Sequence, residues 1–351
     1  MHPEQAASTR GAAAGLAAAA LFGAGAPVAK RLLPAVPPIL LAALLYAGAG
    51  VALLVVGLAR RTREAPLRRA DRWLLVGITA LGGVLAPILM LYGLRRVSGV
   101  GGALLLNLEA PCTIVLAVVL FREHLGARGA AAVACIVAGG LVLAWGPGEL
   151  AADPLGALAI AGACLAWGID NNLTQRLSVK DPIAIVRTKA LGAASCSLAL
   201  ALATHTPVPS AGAIGGALAL GAVSYGASLV LDVHALRLLG AAREAAYFAT
   251  APFFGALLAV PLLGERIGVR EAVAAALMIA GVRLLLRERH EHVHRHAPLV
   301  HEHVHTHDDG HHRHAHAESV PAGVAHSHLH EHETLEHAHP HVSDAHHRHE
   351  H

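Results

Sequence analysis

Residues 99–121 read GVGGALLLNLEAPCTIVLAVVLF, and Glu109 is the single charged side chain in this run. A helix needs about 20 mainly apolar residues to cross about 30 Å of hydrocarbon. The length and composition of the run therefore predict a helix that spans a membrane. The apolar part of the chain contains no series of short alternating segments, the pattern that indicates a porin-type barrel.

Further runs of the same kind lie on both sides of this one. The ten predicted spans are residues 11–33, 37–59, 73–94, 99–121, 127–146, 155–175, 183–203, 212–233, 244–263 and 268–287. Hydrophobic residues make up 55% of the chain and charged residues 15%, whereas about 25% of a soluble domain is charged. Abundant alanine and glycine let helix backbones approach closely. We therefore predict an all-α membrane protein with ten transmembrane helices packed as a bundle.

The two halves of the chain repeat one another, which predicts two domains, residues 11–146 and 155–287. At a shift of 145 residues, Leu21-Phe22-Gly23 matches Ala166-Trp167-Gly168. A shift of 142 aligns Leu94-Arg95, Glu123, Gly126 and Ala138-Gly139 with Leu236-Arg237, Glu265, Gly268 and Ala280-Gly281. Because each half holds five spans, an odd number, the second copy is predicted to lie upside down relative to the first. Such inverted repeats are typical of transporters that alternate between two states.

A longer pattern also recurs in both halves. It consists of a Leu-Arg turn, an apolar span with a central Ala-Pro, a turn around a glutamate, and a closing span with an Ala-Gly pair. The turn reads Arg122-Glu123-His124 in the first half and Gly264-Glu265-Arg266 in the second. As a set, these motifs resemble the EamA-type drug/metabolite transporters over residues 11–287, although the first turn departs from the usual form. The resemblance implies a ten-span secondary carrier, commonly an exporter of small metabolites.

Basic residues in the short loops predict the orientation, since cytoplasmic loops carry an excess of lysine and arginine. With the N-terminus in the cytosol, the inner connections hold fifteen Lys and Arg residues and the outer connections six. We therefore expect a multi-pass protein of the inner cell membrane with both termini in the cytosol. The first span and Ala24-Gly25-Ala26 also fit a cleavable signal peptide, but the match of residues 21–23 with 166–168 favours a retained span.

Polar residues inside the spans are candidates for a substrate pathway. A charge at mid-bilayer costs about 2.5–3.5 kcal/mol and usually faces a cavity or a partner. Glu109 is the best placed, near the middle of its span, and Pro111 removes a backbone donor beside it. The candidate pathway residues are Asn107, Glu109, Asp170, Asn171, Thr174, Tyr225, Ser228, Asp232 and Tyr247. For Asp170 and Asp232 a simpler interpretation is that they reach water from the ends of their spans.

Two further residues of the spans have structural interpretations. Lys189 is interpreted as part of the positive-inside bias or as the partner of an acidic neighbour, and Trp167 as an interface or packing residue.

The sequence also excludes several classes of protein. No nucleophile-base arrangement, phosphate-binding loop or Walker motif occurs, so we expect neither an enzyme nor an ATP-driven pump and no required cofactor. The basic residues lie in short loops and form no stripe, which excludes a nucleic-acid binder.

The C-terminal segment, residues 288–351, differs from the rest of the chain. It holds 23 of the 27 histidines and carries 11 acidic against 4 basic residues. Because it has few apolar residues and imidazole binds Zn, Ni, Co and Cu(II), we expect a disordered, cytosolic, metal-binding tail. The candidate ligands are His290, His292, His294, His296, His301, His303, His305, His307, His311, His312, His314, His316, His326, His328, His330 and His332. The alternative is a solvated tract whose charge merely follows pH.

Three hypotheses of function follow from these patterns. The first is a secondary-active exporter of a small metabolite that works by alternating access and has a metal-responsive tail. The second is a divalent-metal exporter for Ni, Co or Zn that receives its ions from the tail. The third is a metal store anchored in the lipid bilayer, in which the bundle transports nothing.

Overall fold

The computed structural model describes residues 3–59, 65–121, 125–144, 153–177, 180–239 and 247–286, together with four strands in the C-terminal segment. The helices are α1 (Pro3–Gly23), α2 (Gly25–Leu32), α3 (Pro38–Ala59), α4 (Arg72–Ile78), α5 (Ala86–Leu94), α6 (Gly99–Leu105), α7 (Glu109–Phe121), α8 (Ala127–Ala144), α9 (Pro154–Thr174), α10 (Pro182–Ala203), α11 (Ala211–Leu220), α12 (Ser228–Leu239), α13 (Ala251–Leu263) and α14 (Val269–Leu286). Short 3₁₀ turns lie at Arg69–Asp71, Leu106–Leu108 and Gln175–Leu177.

The helical part of the structure follows the predicted spans, and each of the ten windows contains a helix. Among the described residues, seven segments are long and apolar enough to cross a membrane, namely Thr9–Leu32, Pro38–Ala59, Arg69–Leu94, Gly99–Val119, Ala127–Ala144, Pro182–Ala203 and Ala211–Ala235. The helix α13 is a shorter apolar helix. The all-helical character of residues 3–286 is therefore confirmed for the described residues, and seven candidate spans stand where ten were predicted.

Two π-helical segments interrupt the third and eighth predicted spans, at Thr79–Leu85 and Gly221–Ala227. Both contain seven residues, and they lie 142 residues apart, which is the shift that aligns the two halves of the sequence. After each segment an N–H donates to a carbonyl five residues back, from Ala86 to Leu81 and from Ser228 to Val223. The two halves therefore share an irregular backbone feature as well as a sequence pattern.

The contacts between helices have the same twofold character. Helix α3 packs on α10, and α8 packs on α14, so each of these pairs joins equivalent spans of the two halves. Helix α1 packs on α12, while its counterpart α9 packs on α5, the counterpart of α12. Exchanging the two halves therefore leaves these pairings unchanged.

Glycines allow the closest of these crossings. A Cβ atom on Gly221 would overlap the backbone carbonyl of Leu45 in α3. One on Gly48 would likewise overlap the carbonyl of Leu218 in α11. The backbones of α3 and of the α11 region are thus in direct contact at two points, as small-residue packing between membrane helices permits.

We expect Gly221→Ala to lower the stability of the protein by about 1–3 kcal/mol, because the added methyl group forces two backbones apart. The matched control is Gly215→Ala on α11, where a Cβ atom meets nothing within 4 Å. Alanine is a better helix former than glycine by about 1 kcal/mol, so this control should leave stability unchanged or raise it. Thermal unfolding in detergent measures both variants, and equal midpoints for the two would contradict the close crossing.

Four strands are described in the C-terminal segment, and disorder of this segment without metal stays a prediction. Strand β1 (Val293–His296) pairs antiparallel with β4 (Leu335–Ala338), and β2 (Leu299–His305) with β3 (His326–His332). The register places His301 opposite His330. Histidine alternates with other residues in these segments, and side chains in a β-strand also alternate with a period of two residues. Pairing of the strands gives their backbone N–H and C=O groups hydrogen-bond partners, which does not require an apolar core.

Candidate functional site

A cavity of about 230 Å³ lies within the helical bundle and is lined by both halves of the chain. Its walls come from α1, α3, α7, α9, α10, α12, the second π-helical segment and Phe248, which precedes α13. The lining residues are Phe22, Tyr46, Ala49, Glu109, Trp167, Asp170, Asn171, Val186, Lys189, Ala190, Tyr225, Ser228, Leu229 and Phe248. This set combines two carboxylates, one ammonium group and five aromatic side chains, so we treat it as the candidate functional site.

Glu109 enters the cavity where the fourth predicted span is broken. The 3₁₀ turn Leu106–Leu108 precedes it, and α7 begins at Glu109 itself. Asn171 on α9 donates a hydrogen bond from Nδ2 to Oε1 of Glu109 at 2.8 Å. Asn171 is exposed, so the cavity is open at this point. Because the amide is neutral, this contact orients the carboxylate of Glu109 without compensating its charge.

Asp170 and Lys189 form an ion pair in the wall of the cavity, between α9 and α10. The Asp170 side chain is 4% exposed and that of Lys189 15% exposed. The second carboxylate oxygen of Asp170 has no hydrogen-bond partner among the described residues. Gly82 lies directly against this carboxylate, which leaves no room for a side chain there. The pair is therefore closely confined between three elements.

The carbonyl of Gly82 fixes two aromatic residues of the cavity. It accepts hydrogen bonds from the Tyr46 hydroxyl and from Nε1 of Trp167, both at 3.0 Å. In a π-helix this carbonyl would accept a hydrogen bond from the N–H group of residue 87. Residue 87 is a proline and has no N–H group, so the carbonyl of Gly82 is available to side chains. The break in the helix thus supplies an acceptor that holds α3 and α9 together at the site.

Four of the five aromatic side chains of the cavity form a connected row. The Tyr46 and Tyr225 ring centroids are 5.7 Å apart, and those of Phe22 and Tyr225 are 5.6 Å apart. Phe22 also contacts Phe248, with centroids 5.1 Å apart. Aromatic residues are only 3% of the chain, yet five of them line this one cavity, so the concentration marks the site.

The structure places five of the nine predicted pathway residues in the cavity, namely Glu109, Asp170, Asn171, Tyr225 and Ser228. The other four do not line it. Asn107 is buried and donates to the carbonyl of Leu104 at 3.0 Å. Thr174 and Asp232 lie one turn beyond lining residues on α9 and α12. Tyr247 packs near Gly15 of α1, outside the lining.

Sequence reasoning missed the other nine lining residues. Five of them are aromatic or charged, namely Phe22, Tyr46, Trp167, Lys189 and Phe248. Lys189 does pair with an acidic neighbour, which was one of the two interpretations given to it. Trp167 is a wall of the site, although it was interpreted as an interface or packing residue. The repeat contained a signal for two of them, because Phe22 and Trp167 occupy equivalent positions at the shift of 145 residues.

A second polar cluster lies at one end of the bundle and joins the two halves. Lys30 donates from Nζ to the carbonyls of Leu94 and Val97, at 2.7 and 2.5 Å. Glu265 accepts the N–H groups of Gly99 and Val100 at 2.6 and 2.8 Å, and so caps α6. We call these residues the Lys30 cluster, which consists of Lys30, Leu94, Val97, Gly99, Val100 and Glu265.

Arg96 and Asp153 form an exposed ion pair beside this cluster, with Nη1 and Oδ2 2.6 Å apart. The hydrogen bond from Arg96, together with one from the N–H of Leu155, lowers the pKa of Asp153. Because this pKa is lowered in the folded state, the stabilising contribution of the pair is present above the usual pKa of an aspartate. It is lost as the pH falls through the lowered value.

No group of three or more metal-binding side chains occurs among the residues whose side chains are described. Of the predicted tail ligands, His294, His296, His301, His303, His305, His326, His328, His330 and His332 lie in strands. The others, His290, His292, His307, His311, His312, His314 and His316, lie outside the described residues. Metal binding by the tail therefore stays a prediction.

The apolar helices, and a cavity between them that is lined by charged and aromatic side chains, are features of a multi-pass membrane transporter. The chain belongs to the EamA-like transporter family, which it matches over residues 9–145 and again over residues 154–287. An "uncharacterized transporter" of Methanothermobacter thermautotrophicus is 28% identical over 296 residues, covering 77% of this chain and 84% of the relative. The permease-like protein YdzE of Bacillus subtilis is 36% identical over 74 residues, 21% of this chain and 95% of the relative.

A solved crystal structure shares the fold. It superposes with a TM-score of 0.58 over 79% of this chain and 96% of its own, at 22% sequence identity. The family match confirms the resemblance seen in the repeated motifs, and it covers each half of the chain separately.

Proposed function

We propose that this protein is a secondary-active transporter that exports a small solute by alternating access. The observation that carries the proposal is the cavity lined by both halves of the chain, with Glu109 from the first half and the Asp170–Lys189 pair from the second. A site between two repeats is where carriers built from internal repeats bind their substrates. The family match to transporters supports the same function.

The proposed architecture is ten spans arranged as two inverted repeats of five. Three observations support it, namely the separate family match of each half, the two π-helical segments 142 residues apart, and the helix pairings that survive exchange of the halves. Two packings of related bundles then give two states that differ in which end of the cavity is open.

The Lys30 cluster is proposed as the closed gate of the present state. On the orientation predicted from loop charges, this cluster lies at the outer face. The cavity residues Asp170 and Lys189 belong to the last turns of α9 and the first turns of α10, near the opposite, cytosolic end. The arrangement therefore corresponds to an inward-facing state with the outer end closed. At the shifts that align the two halves, Lys30 corresponds to Gln175 and Glu265 corresponds to Glu123. We propose that Gln175 and Glu123 form the inner gate. Glu123 lies outside the described residues.

We expect Glu265→Gln to shift the protein toward the outward-open state by up to about tenfold in population. A neutral amide caps a helix less well than a carboxylate, and losing a cap costs about 0.5–2 kcal/mol. Spin labels at Arg95 and Ile267, which are exposed and follow Leu94 and Glu265 of the cluster in sequence, measure the opening as a longer distance. Asp71→Asn, which changes a capping carboxylate outside the cluster, is the matched control. An unchanged distance distribution in Glu265→Gln would contradict the gate.

The histidine-rich segment is proposed as a metal-responsive tail that regulates transport from the cytosolic side. Support comes from the 23 histidines of residues 288–351 and the interleaved acidic residues. Neutral imidazole binds metal and protonated imidazole does not, so regulation should fade as the pH falls below about 6. Zn, Ni and Co are the proposed ions.

Deleting residues 290–351 tests whether metal ions regulate transport through this segment or are themselves the transported substrate. We expect solute export to persist without this segment and to lose its response to added Zn, Ni or Co. The measurement is uptake into inverted vesicles of radiolabelled metal ions and of a panel of small metabolites, for the full chain and the deletion. Metal uptake that disappears with the segment would favour a metal exporter instead. Metal retention with no flux of any solute would favour a membrane-anchored store.

A further inference from the structure

We propose that the cavity selects a small organic cation, an amine or a quaternary ammonium compound, with Glu109 as its counter-ion. This inference rests on the transport function proposed above and names the substrate class of the same site. It is carried by three features of the lining, namely an uncompensated carboxylate, an aromatic wall and the size of the cavity.

Among the described lining residues, the carboxylate of Glu109 forms no ion pair. Lys189 is the only basic residue among the lining side chains that the structure describes, and it is paired with Asp170. Within the described part of the chain, the recorded contact to the Glu109 carboxylate comes from the neutral amide of Asn171. A charge that is removed from water is costly unless it is paired. A cationic substrate supplies the missing partner, whereas an anion would have to displace Asp170 from Lys189.

The aromatic wall suits the same class of ligand. Tyr46, Tyr225 and Phe22 form a connected row in the cavity that Glu109 also lines, and Trp167 on α9 lines the same cavity. The faces of aromatic rings attract cations, most strongly in desolvated sites, and surround quaternary ammonium groups in known recognition sites. Their apolar bodies also favour the alkyl groups of such a cation. A carboxylate alone would accept any cation, and the rings add a preference for an organic one.

The volume limits how large the ligand is. Pockets for drug-sized ligands measure about 300–1,000 Å³, whereas this cavity measures about 230 Å³. The substrate therefore carries a few carbon atoms around one ammonium group, or at most about one ring.

The test uses three probes of nearly equal shape and different charge. Choline is the cation, 3,3-dimethyl-1-butanol is its neutral isostere with carbon in place of nitrogen, and isethionate is an anion of similar size. The protein is the full chain with Trp73→Phe and Trp145→Phe, so that Trp167 in the cavity is its only tryptophan. Its fluorescence reports binding in detergent. We expect saturable binding of choline, at least about tenfold weaker binding of the neutral isostere, and no binding of isethionate.

Substitutions in the cavity separate the contribution of the Glu109 charge to choline binding from that of the Tyr225 ring. Glu109→Gln should abolish the preference for choline over the neutral isostere, and Tyr225→Leu should weaken choline binding about tenfold, while Tyr225→Phe retains it. Tyr92→Leu, which changes an exposed tyrosine on α5 outside the cavity, is the control and should bind as wild type. Equal affinity for choline and the isostere, a preference for isethionate, or an unchanged preference in Glu109→Gln would each overturn the inference.

The result is distinguishable from a failure of the transport function. If vesicles exchange neutral or anionic solutes through this cavity and Trp167 reports no cation preference, the protein is a transporter of another substrate class. If choline binds as expected but no solute crosses the membrane, the cavity is a binding site for organic cations and the proposal of transport fails.

Discussion

Glu109→Gln is expected to lower the exchange rate of the transported solute by about thirtyfold or more. With the cationic substrate inferred above bound, Glu109→Gln removes one partner of a buried charge pair, which costs about 2–5 kcal/mol, and every 1.4 kcal/mol is about tenfold. Gln keeps the shape and an acceptor oxygen for Asn171, which donates to Glu109 at 2.8 Å. The loss should therefore come from charge and leave the fold intact. Solute exchange in inverted vesicles measures it.

The matched control for this variant is Glu271→Gln. Glu271 is also buried, at 7% exposure, and accepts the N–H of Gly268 at 2.9 Å at the start of α14. It lies outside the cavity lining, so its neutral variant should keep its transport activity. Wild-type exchange in Glu109→Gln, with the variant present at normal levels in the membrane, would contradict a role of Glu109 in the pathway.

Breaking the Asp170–Lys189 pair is expected to have the largest effect on stability. In Lys189→Met the Asp170 carboxylate, 4% exposed and confined against Gly82, has no cation to compensate it. Leaving one member of a buried ion pair unpaired costs about 3–5 kcal/mol. We therefore expect Lys189→Met to unfold at a much lower temperature than the wild type in the same detergent.

The double variant with Asp170→Asn distinguishes charge from packing. Removing both charges from a buried pair is often neutral, so Lys189→Met with Asp170→Asn should recover most of the lost stability. Thermal unfolding of the single and double variants gives the coupling between the two sites. If the double variant is as unstable as Lys189→Met alone, the loss of stability does not come from the uncompensated charge of Asp170.

The helices could be predicted from the sequence because a membrane span requires a long apolar run, and few other structures do. Boundaries were less certain where prolines and breaks intervene. The ninth span was predicted to begin at residue 244, and residues 240–246 lie outside the described residues, so this boundary stays a prediction. Residues 247 and 248 are helical, a turn follows, and α13 begins at Ala251 with Pro252 in its first turn. Proline is favoured there because the first helical N–H groups have no partner within the helix.

The candidate site was predictable where a single residue carries the signal. Glu109 stood out because a carboxylate in an apolar run is costly, and the structure places it in the cavity. Tyr46 and Trp167 carried no such signal. Their positions depend on a carbonyl that is free only because a π-helical segment coincides with Pro87. The register of such a segment is set by packing between helices, which one span of sequence does not specify.

The most direct test of alternating access is the accessibility of Val186, a cavity residue on α10, from the two sides of the membrane. Val186→Cys is introduced into a chain with Cys112, Cys135, Cys164 and Cys196 replaced by alanine, and a membrane-impermeant maleimide is applied to right-side-out and inverted vesicles. Val208→Cys, exposed at the predicted outer face, reports the sidedness of the vesicles. We predict that the maleimide labels Val186→Cys from the cytosolic side in the absence of solute and from both sides during solute exchange. Adding Glu265→Gln should increase the labelling from the outer side. Reaction from one side alone under all of these conditions would contradict a cavity that opens alternately to each face.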